Sequence, residues 1–167
     1  MFRSVKLPAD IPGMLYLHGM PGRNEDWERF TVAVRKAGIG RIVSLTPDDE
    51  IARESPLYAA AIADGSLPCR REAFPIPDYG IPDDREGYAG FVAGIADLLR
   101  CGEGVLIHCG AGVGRTGTFA VCLIIALGAS GAEAREAVGL AGSHPETGGQ
   151  EDLIAWYEGF GRRSPNG

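Results

Sequence analysis

The chain has 167 residues, enough for one full core and too few for two comfortable ones. Its apolar fraction of 45% is that of an ordinary globular domain, and 25 glycines with 11 prolines fall short of the content typical of disordered chains. A net charge of −6 without any basic block argues against nucleic acid or an anionic membrane surface as the main partner, although a local anion site remains compatible with it. The first twenty residues mix Arg3, Lys6, Asp10 and two prolines, so no secretory signal is expected. The longest apolar run, "FAVCLIIALGA", is too short to cross a bilayer. Cys69, Cys101, Cys109 and Cys122 show no paired spacing, and His18, His108 and His144 are scattered. The expectation is a cytoplasmic protein with free thiols, no metal site and no cofactor.

In chain order, "MLYL" (14–17) reads as a short strand ending at the turn "GMPG". Asn24 is the expected cap of a helix that carries Glu25 and Asp26 in its first turn, aligns Trp27, Phe30 and Val34 on one face, and ends at Gly38. "RIVSL" (41–45) is a second strand. Thr46-Pro47 and Ser55-Pro56 each read as a capping residue followed by proline at the first helical position, giving two short helices between 47 and 64. "REAFPI" (71–76) is a strand running into a proline-rich loop. From 84 to 100, Tyr88, Phe91, Val92, Ile95, Leu98 and Leu99 make an amphipathic helix. "GVLIH" reads as a strand buried on both faces, and "TGTFAVCLIIAL" as a central helix, apolar nearly all round, in which Cys122 is core packing. Helices over Ala132 to Leu140 and Gln150 to Phe160 precede a frayed "RRSPNG" tail. The pattern predicts one α/β domain over 1–167, core about 10–160, with a central, mostly parallel sheet flanked by helices.

Between the buried strand and the central helix lies "HCGAGVGRTGT" (108–118). Strand, glycine loop and helix N-terminus together aim backbone N–H groups and a positive dipole end at one small volume. Gly110, Gly112 and Gly114 let the backbone curl around a tetrahedral anion. A nucleotide-binding P-loop would require a lysine; here Arg115 offers a planar fork suited to two phosphate oxygens. Cys109 sits at the floor of the loop. Helix N-termini and nearby cations favour the thiolate, the nucleophilic form, and the Thr116 hydroxyl is placed to donate to the sulfur.

Chemistry on a phosphate ester also needs a proton for the leaving oxygen and a base for water. "PIPDYGIPDD" offers Asp78, Asp83 and Asp84. Asp83, with Glu86 three residues on, fits a capping box, and Asp84 falls in the first helical turn. Asp78, bracketed by prolines, has no such local task and is the leading candidate of the three.

The 108–118 segment resembles the H-C-x5-R-[ST] signature of the protein tyrosine and dual-specificity phosphatase superfamily. "PDYGIP" is similar to that superfamily's P-D-x-G-x-P acid loop, with Ile76 where a tryptophan often stands. "ETGGQ" (146–150) resembles its Q-T-x-x-Q element, with Glu146 replacing the first glutamine. Over residues 10–157 the likeness is to the compact, cyclin-dependent-kinase-associated type. The resemblance implies a dual-specificity-phosphatase-like fold and a metal-independent phosphomonoesterase acting on protein phosphotyrosine, with phosphoserine and phosphothreonine as further substrates, through a cysteinyl-phosphate. It implies Cys109 as nucleophile, Asp78 as acid, Arg115 and the Gly110, Ala111, Gly112, Val113 and Gly114 backbone as phosphate holders, and Thr116 assisting thiolate departure. His108 is expected to hold the loop, and Gln150 either to place water or simply to start a helix. The implied partner is a phosphorylated protein or peptide. Three readings stay open beside it: a phosphatase of phosphoinositides, inositol phosphates or nucleotides; a rhodanese-like sulfurtransferase; and a non-catalytic phospho-binding module.

Overall fold

The computed structural model describes residues 1–163, so the last four residues of the "RRSPNG" tail lie outside the described residues. Five strands form one sheet in the order β1-β2-β5-β3-β4. These are β1 (Arg3–Val5), β2 (Met14–His18), β3 (Ile39–Ser44), β4 (Arg70–Ala73) and β5 (Gly104–His108). Only β1 runs antiparallel, with Arg3 opposite Leu17 on β2. It was not expected from the sequence, because three residues at a sheet edge carry no periodic signal. Among the described residues, seven helices flank the sheet: α1 (Trp27–Lys36), α2 (Asp48–Glu54), α3 (Pro56–Asp64), α4 (Arg85–Arg100), α5 (Gly114–Ala126), α6 (Gly131–Leu140) and α7 (Gly148–Arg163).

Central strand β5 explains the apolar "GVLIH". Val105 and Ile107 join a cluster with α4, α5, α6 and α7, whereas Leu106 packs on the opposite face with Phe30 and Val34 of α1. Because alternate residues are buried on opposite faces, every position of the strand is buried. Residues 114–124 of α5 are likewise all buried, as its all-round apolarity predicts. The register places His18 of β2, Ser44 of β3 and His108 of β5 side by side at the C-terminal edge of the parallel strands. Ligands of open α/β sheets bind at this edge.

Several helix caps differ from expectation. Helix α1 is capped by Asp26, whose carboxylate accepts from Arg29 N at 2.9 Å; Asn24 lies upstream of the helix. Pro47 is the cap residue of α2, and the Thr46 hydroxyl makes no capping bond. Ser55 does precede α3, but its hydroxyl donates to Pro21 O at 2.7 Å and so ties the helix to the loop after β2. Asp84, not Asp83, caps α4, accepting from Gly87 N at 2.8 Å. At α1 and α4 two nearby side chains could have capped, and the direction of the incoming chain selected one.

Replacing Asp84 with Ala is expected to destabilise the protein by about 1 kcal/mol, the usual worth of a cap. Asp83→Ala should stay within about 0.5 kcal/mol of wild type. Urea unfolding of the two variants checks the assignment, and a larger loss for Asp83→Ala would reverse it.

Candidate active site

Cys109 follows β5 directly and is buried at the floor of a cavity of about 180 Å³ lined by Gly110, Ala111, Gly114, Arg115, Asp78, Glu50 and Glu146. A larger groove of about 630 Å³ opens between the Lys6–Asp10 segment and helices α5 and α6, but no thiol, hydroxyl or imidazole lines it.

The loop is shaped by where its carbonyls go. Cys109 O faces His108 Nδ1 at 3.2 Å, and Gly110 O accepts from Met20 N at 2.9 Å. Gly112 O accepts from Arg3 Nη2 and the Ser143 hydroxyl, each at 2.6 Å, and Val113 O accepts from Gly117 N and His144 N. In a trans peptide the C=O and the following N–H point in opposite directions. Each carbonyl engaged by the surrounding protein therefore turns the next N–H away from its donor, toward the concave side of the loop. Gly112 N lies 3.3 Å from Cys109 Sγ as its donor. Gly112 itself has φ +76°, and a Cβ there would collide with the His18 carbonyl, so only glycine fits. The result is one amide held on the sulfur and further loop amides turned away from the donors that hold their carbonyls, a disposition suited to a tetrahedral oxyanion.

Arg115 is fixed from behind. Its Nη1 donates to Glu50 Oε2 at 3.0 Å and to Ile76 O at 2.9 Å; its Nη2 donates to Glu50 Oε1 at 2.9 Å and to Asp78 Oδ1 at 3.0 Å. Burial works against the guanidinium charge, but the Glu50 hydrogen bond and the charges of Cys109, Glu50 and Asp78 outweigh it, so its pKa is raised. Glu50 was not singled out in the sequence. It is the last of three acidic residues at the start of α2, where the helix dipole is sufficient explanation for all of them.

Of the three candidate aspartates, only Asp78 reaches the cavity. It sits in a turn closed by Gly80 N donating to Pro77 O at 2.8 Å, and Tyr79 adopts φ 56° there, a left-handed conformation unusual for a bulky residue. Gln150 stands behind the cavity wall. Its Oε1 accepts from Glu146 N at 2.7 Å, its Nε2 donates to Gly80 O at 3.4 Å, and it lies in the first turn of α7, so it braces the loop that carries Asp78 from the helix start. The Thr116 hydroxyl is buried and makes no hydrogen bond, so its expected bond to the sulfur is not formed; the Gly112 amide contacts the sulfur instead.

His108 is buried, with its ring between Cys109 O and the Tyr58 hydroxyl, 2.9 Å from Nε2. A carbonyl can only accept, so Nδ1 carries the proton and Nε2 accepts from Tyr58. Burial pushes the His108 pKa down to about 3 and that of Tyr58 up to about 12, consistent with a neutral pair.

This site on a mixed five-stranded α/β sheet defines the architecture of a cysteine-loop phosphatase. Residues 11–156 match the family described as PTP-SAK, Swiss Army Knife protein, DSP-PTPase phosphatase domain, and the chain belongs to that family. Tyrosine-protein phosphatase non-receptor type 4 of Mus musculus is 44% identical over 55 residues, a match covering 29% of this chain and 6% of the relative. The human protein of the same name matches equally, and the chain corresponds to a small part of either relative. Among solved structures, kinase associated phosphatase with its catalytic-site cysteine substituted by serine superposes with a TM-score of 0.80 at 19% identity, covering 99% of this chain and 97% of that one. Tk-PTP in the active form gives a TM-score of 0.71 at 25% identity, covering 94% and 97%. PTPMT1 in complex with PI(5)P gives 0.70 at 17%, covering 90% and 94%.

The neutral, buried His108 makes stability pH-dependent in a defined direction. The unfolded chain takes up a proton near pH 6.5, and the folded protein does so only near pH 3, so stability is lost as pH falls through that window. His108→Asn keeps a donor toward Cys109 O but cannot titrate. Between pH 6 and 4.5 the wild type should lose about 1.4 kcal/mol per pH unit more than the variant in urea unfolding. Parallel slopes would mean that His108 is charged in the fold.

Proposed function

We propose that the protein is a phosphomonoesterase that works through a phosphocysteine and acts on phosphotyrosine in proteins. The observation that carries this reading is the convergence of Cys109, the inward-turned amides, Arg115 and Asp78 on one small cavity. Cys109 Sγ attacks phosphorus, forming the S–P bond as the bond to the ester oxygen breaks. Asp78, protonated for this step, gives its proton to the departing oxygen. Arg115 and the loop amides meet the charge on the equatorial oxygens, where it must be stabilised. Water then attacks phosphorus, Asp78 takes a proton from it, and the S–P bond breaks to return the thiolate, with Thr116, whose hydroxyl is unengaged in the resting site, donating to the sulfur as it leaves. In this reading Arg115 and the loop amides supply the donors to the phosphoryl oxygens, and the route calls on no metal. A reducing compartment, such as the cytoplasm, belongs to the same proposal because Cys109 must stay a thiol.

The charges at the mouth favour a protein substrate over a phosphoinositide or another polyanion. Only Gly, Ala and Val lie between Cys109 and Arg115, so the loop offers no lysine to a second phosphate. The rim carries Glu54 and Glu146, and its one cation besides Arg115 among the cavity-lining residues, Arg23, is held by Glu54 at 3.1 Å. A singly phosphorylated side chain flanked by basic residues meets this rim favourably, whereas a substrate with further phosphates meets like charge.

Cys109→Ser is expected to abolish hydrolysis of an aryl phosphate in the presence of chelator while still binding tungstate, because the cradle is built from amides and Arg115. Turnover by that variant, or wild-type activity that disappears with chelator, would refute the covalent, metal-free route. Asp78→Asn should lower kcat by about 10²–10⁴-fold on phosphotyrosine and less on an aryl phosphate with an activated leaving group. An equal loss on both would remove Asp78 from the role of acid. A panel of phosphotyrosine, phosphoserine and phosphothreonine peptides with Lys or Glu flanks, together with PI(5)P, tests the substrate class. Lys-flanked phosphotyrosine should turn over fastest, and Glu146→Gln should narrow the gap between Lys and Glu flanks. Preference for PI(5)P would reassign the substrate.

A further inference from the structure

Two side chains far from the signature loop converge on its most constrained residue. Arg3, on edge strand β1, crosses to the Gly112 carbonyl through Nη2 at 2.6 Å. Its Nη1 donates to Ala141 O at 3.0 Å, Gly142 O at 2.9 Å and Ser143 Oγ at 3.0 Å. The Ser143 hydroxyl donates in turn to the same Gly112 carbonyl at 2.6 Å. One charged and one neutral donor thus share a single acceptor whose own residue carries, on its other side, the N–H that meets Cys109 Sγ at 3.3 Å. Neither residue lines the cavity, so neither can touch a bound phosphate there.

We propose that Arg3 and Ser143 are positioning residues for the phosphate loop: by holding the Gly112 carbonyl outward they turn the Val113 N–H into the cradle and keep the Gly112 N–H on the sulfur. The inference rests on the reading of Cys109 as nucleophile, and it adds the N-terminal strand to the catalytic apparatus. A charged donor polarises the Gly112–Val113 peptide more than a neutral one, which strengthens the N–H on its far side. Burial pulls the Arg3 pKa down while the charge of Cys109 pushes it up, so the two groups are within electrostatic reach. The other charged groups around the sulfur are Arg115 of α5, Glu50 and Glu54 of α2, Arg23 after β2, Asp78 of the acid loop and Glu146 before α7. In that set Arg3 is the cation approaching from behind the loop, with carbonyl and hydroxyl oxygens rather than a carboxylate as its hydrogen-bond partners.

The test compares Arg3→Gln, Arg3→Lys and Ser143→Ala in the full chain, with three readouts on folded protein. These are tungstate affinity, kcat against KM on an aryl phosphate, and the rate at which iodoacetamide alkylates Cys109 at pH 7, mapped by mass spectrometry. Removing one oxyanion donor outright costs about 10²–10³-fold, so loosening one is expected to cost about tenfold. Arg3→Gln should weaken tungstate about tenfold, lower kcat by a similar factor with little change in KM, and slow Cys109 alkylation several-fold. Arg3→Lys, which keeps the charge, should recover most of each loss. Ser143→Ala should weaken tungstate and kcat less than Arg3→Gln, and if Arg3→Gln fails to fold it carries the test together with Arg3→Lys. Variants that fall in melting temperature yet keep all three readouts within twofold of wild type would overturn the proposal, leaving Arg3 a structural clasp. Alkylation reads the loop whether or not phosphate is turned over. A wild type without phosphatase activity whose Cys109 is still slowed by Arg3→Gln would refute the phosphatase reading and keep the positioning one.

Discussion

A loop can present its amides to an anion only if its carbonyls find donors elsewhere. This requirement orders the structure around Cys109. The donors come from His108 on the central strand, Met20 after β2, Arg3 on the edge strand, and Ser143 and His144 after α6. The sheet order and the packing of α5 bring these segments to one place. The buried character of β5 and α5 is thus part of the site: two rigid, fully packed elements hold the ends of a loop that would otherwise be free to collapse.

Arg115 adds a second constraint. A buried guanidinium loses hydration and must be compensated, and Glu50 does so with both carboxylate oxygens. Because Nη1 also takes the Ile76 carbonyl and Nη2 takes Asp78, the same group that neutralises the buried charge links α5 to α2 and to the acid loop. Removing Glu50 would therefore disturb both the charge and the geometry of the fork. The reach of Gln150 to Gly80 holds the Asp78 loop from the other side.

Elements whose signal is a repeated spacing or a continuous apolar run are legible in the sequence. The amphipathic pattern from Tyr88 to Leu99 is α4, "GVLIH" is β5, and the apolar run after the glycine loop is α5. Caps are less legible. Asn24 and Asp26, two positions apart, and the adjacent Asp83 and Asp84 each offer a side-chain oxygen near a helix start, and only the path of the entering chain decides which oxygen faces the free N–H groups. Thr46 has a capping side chain, but the helix begins after Pro47 and the hydroxyl is left buried without a partner. Strand β1 went unread because three residues gain their structure entirely from pairing with β2.

By itself the sequence determined what depends on near neighbours. Cys109, the glycines and Arg115 lie within one loop, and their spacing specifies an anion cradle between an apolar strand and an apolar helix. Asp78 stands out because the sequence offers both of its rivals local work at a helix start, work that Asp84 alone performs in the fold. Tertiary structure alone decided which distant groups complete the cradle. Arg3 meets Gly112 across 109 positions of chain, Glu50 meets Arg115 across 65, and Tyr58 meets His108 across 50. No periodicity relates such pairs. Their contact follows from sheet order, strand register and the burial of α5, which are properties of the whole fold and not of any segment of the chain.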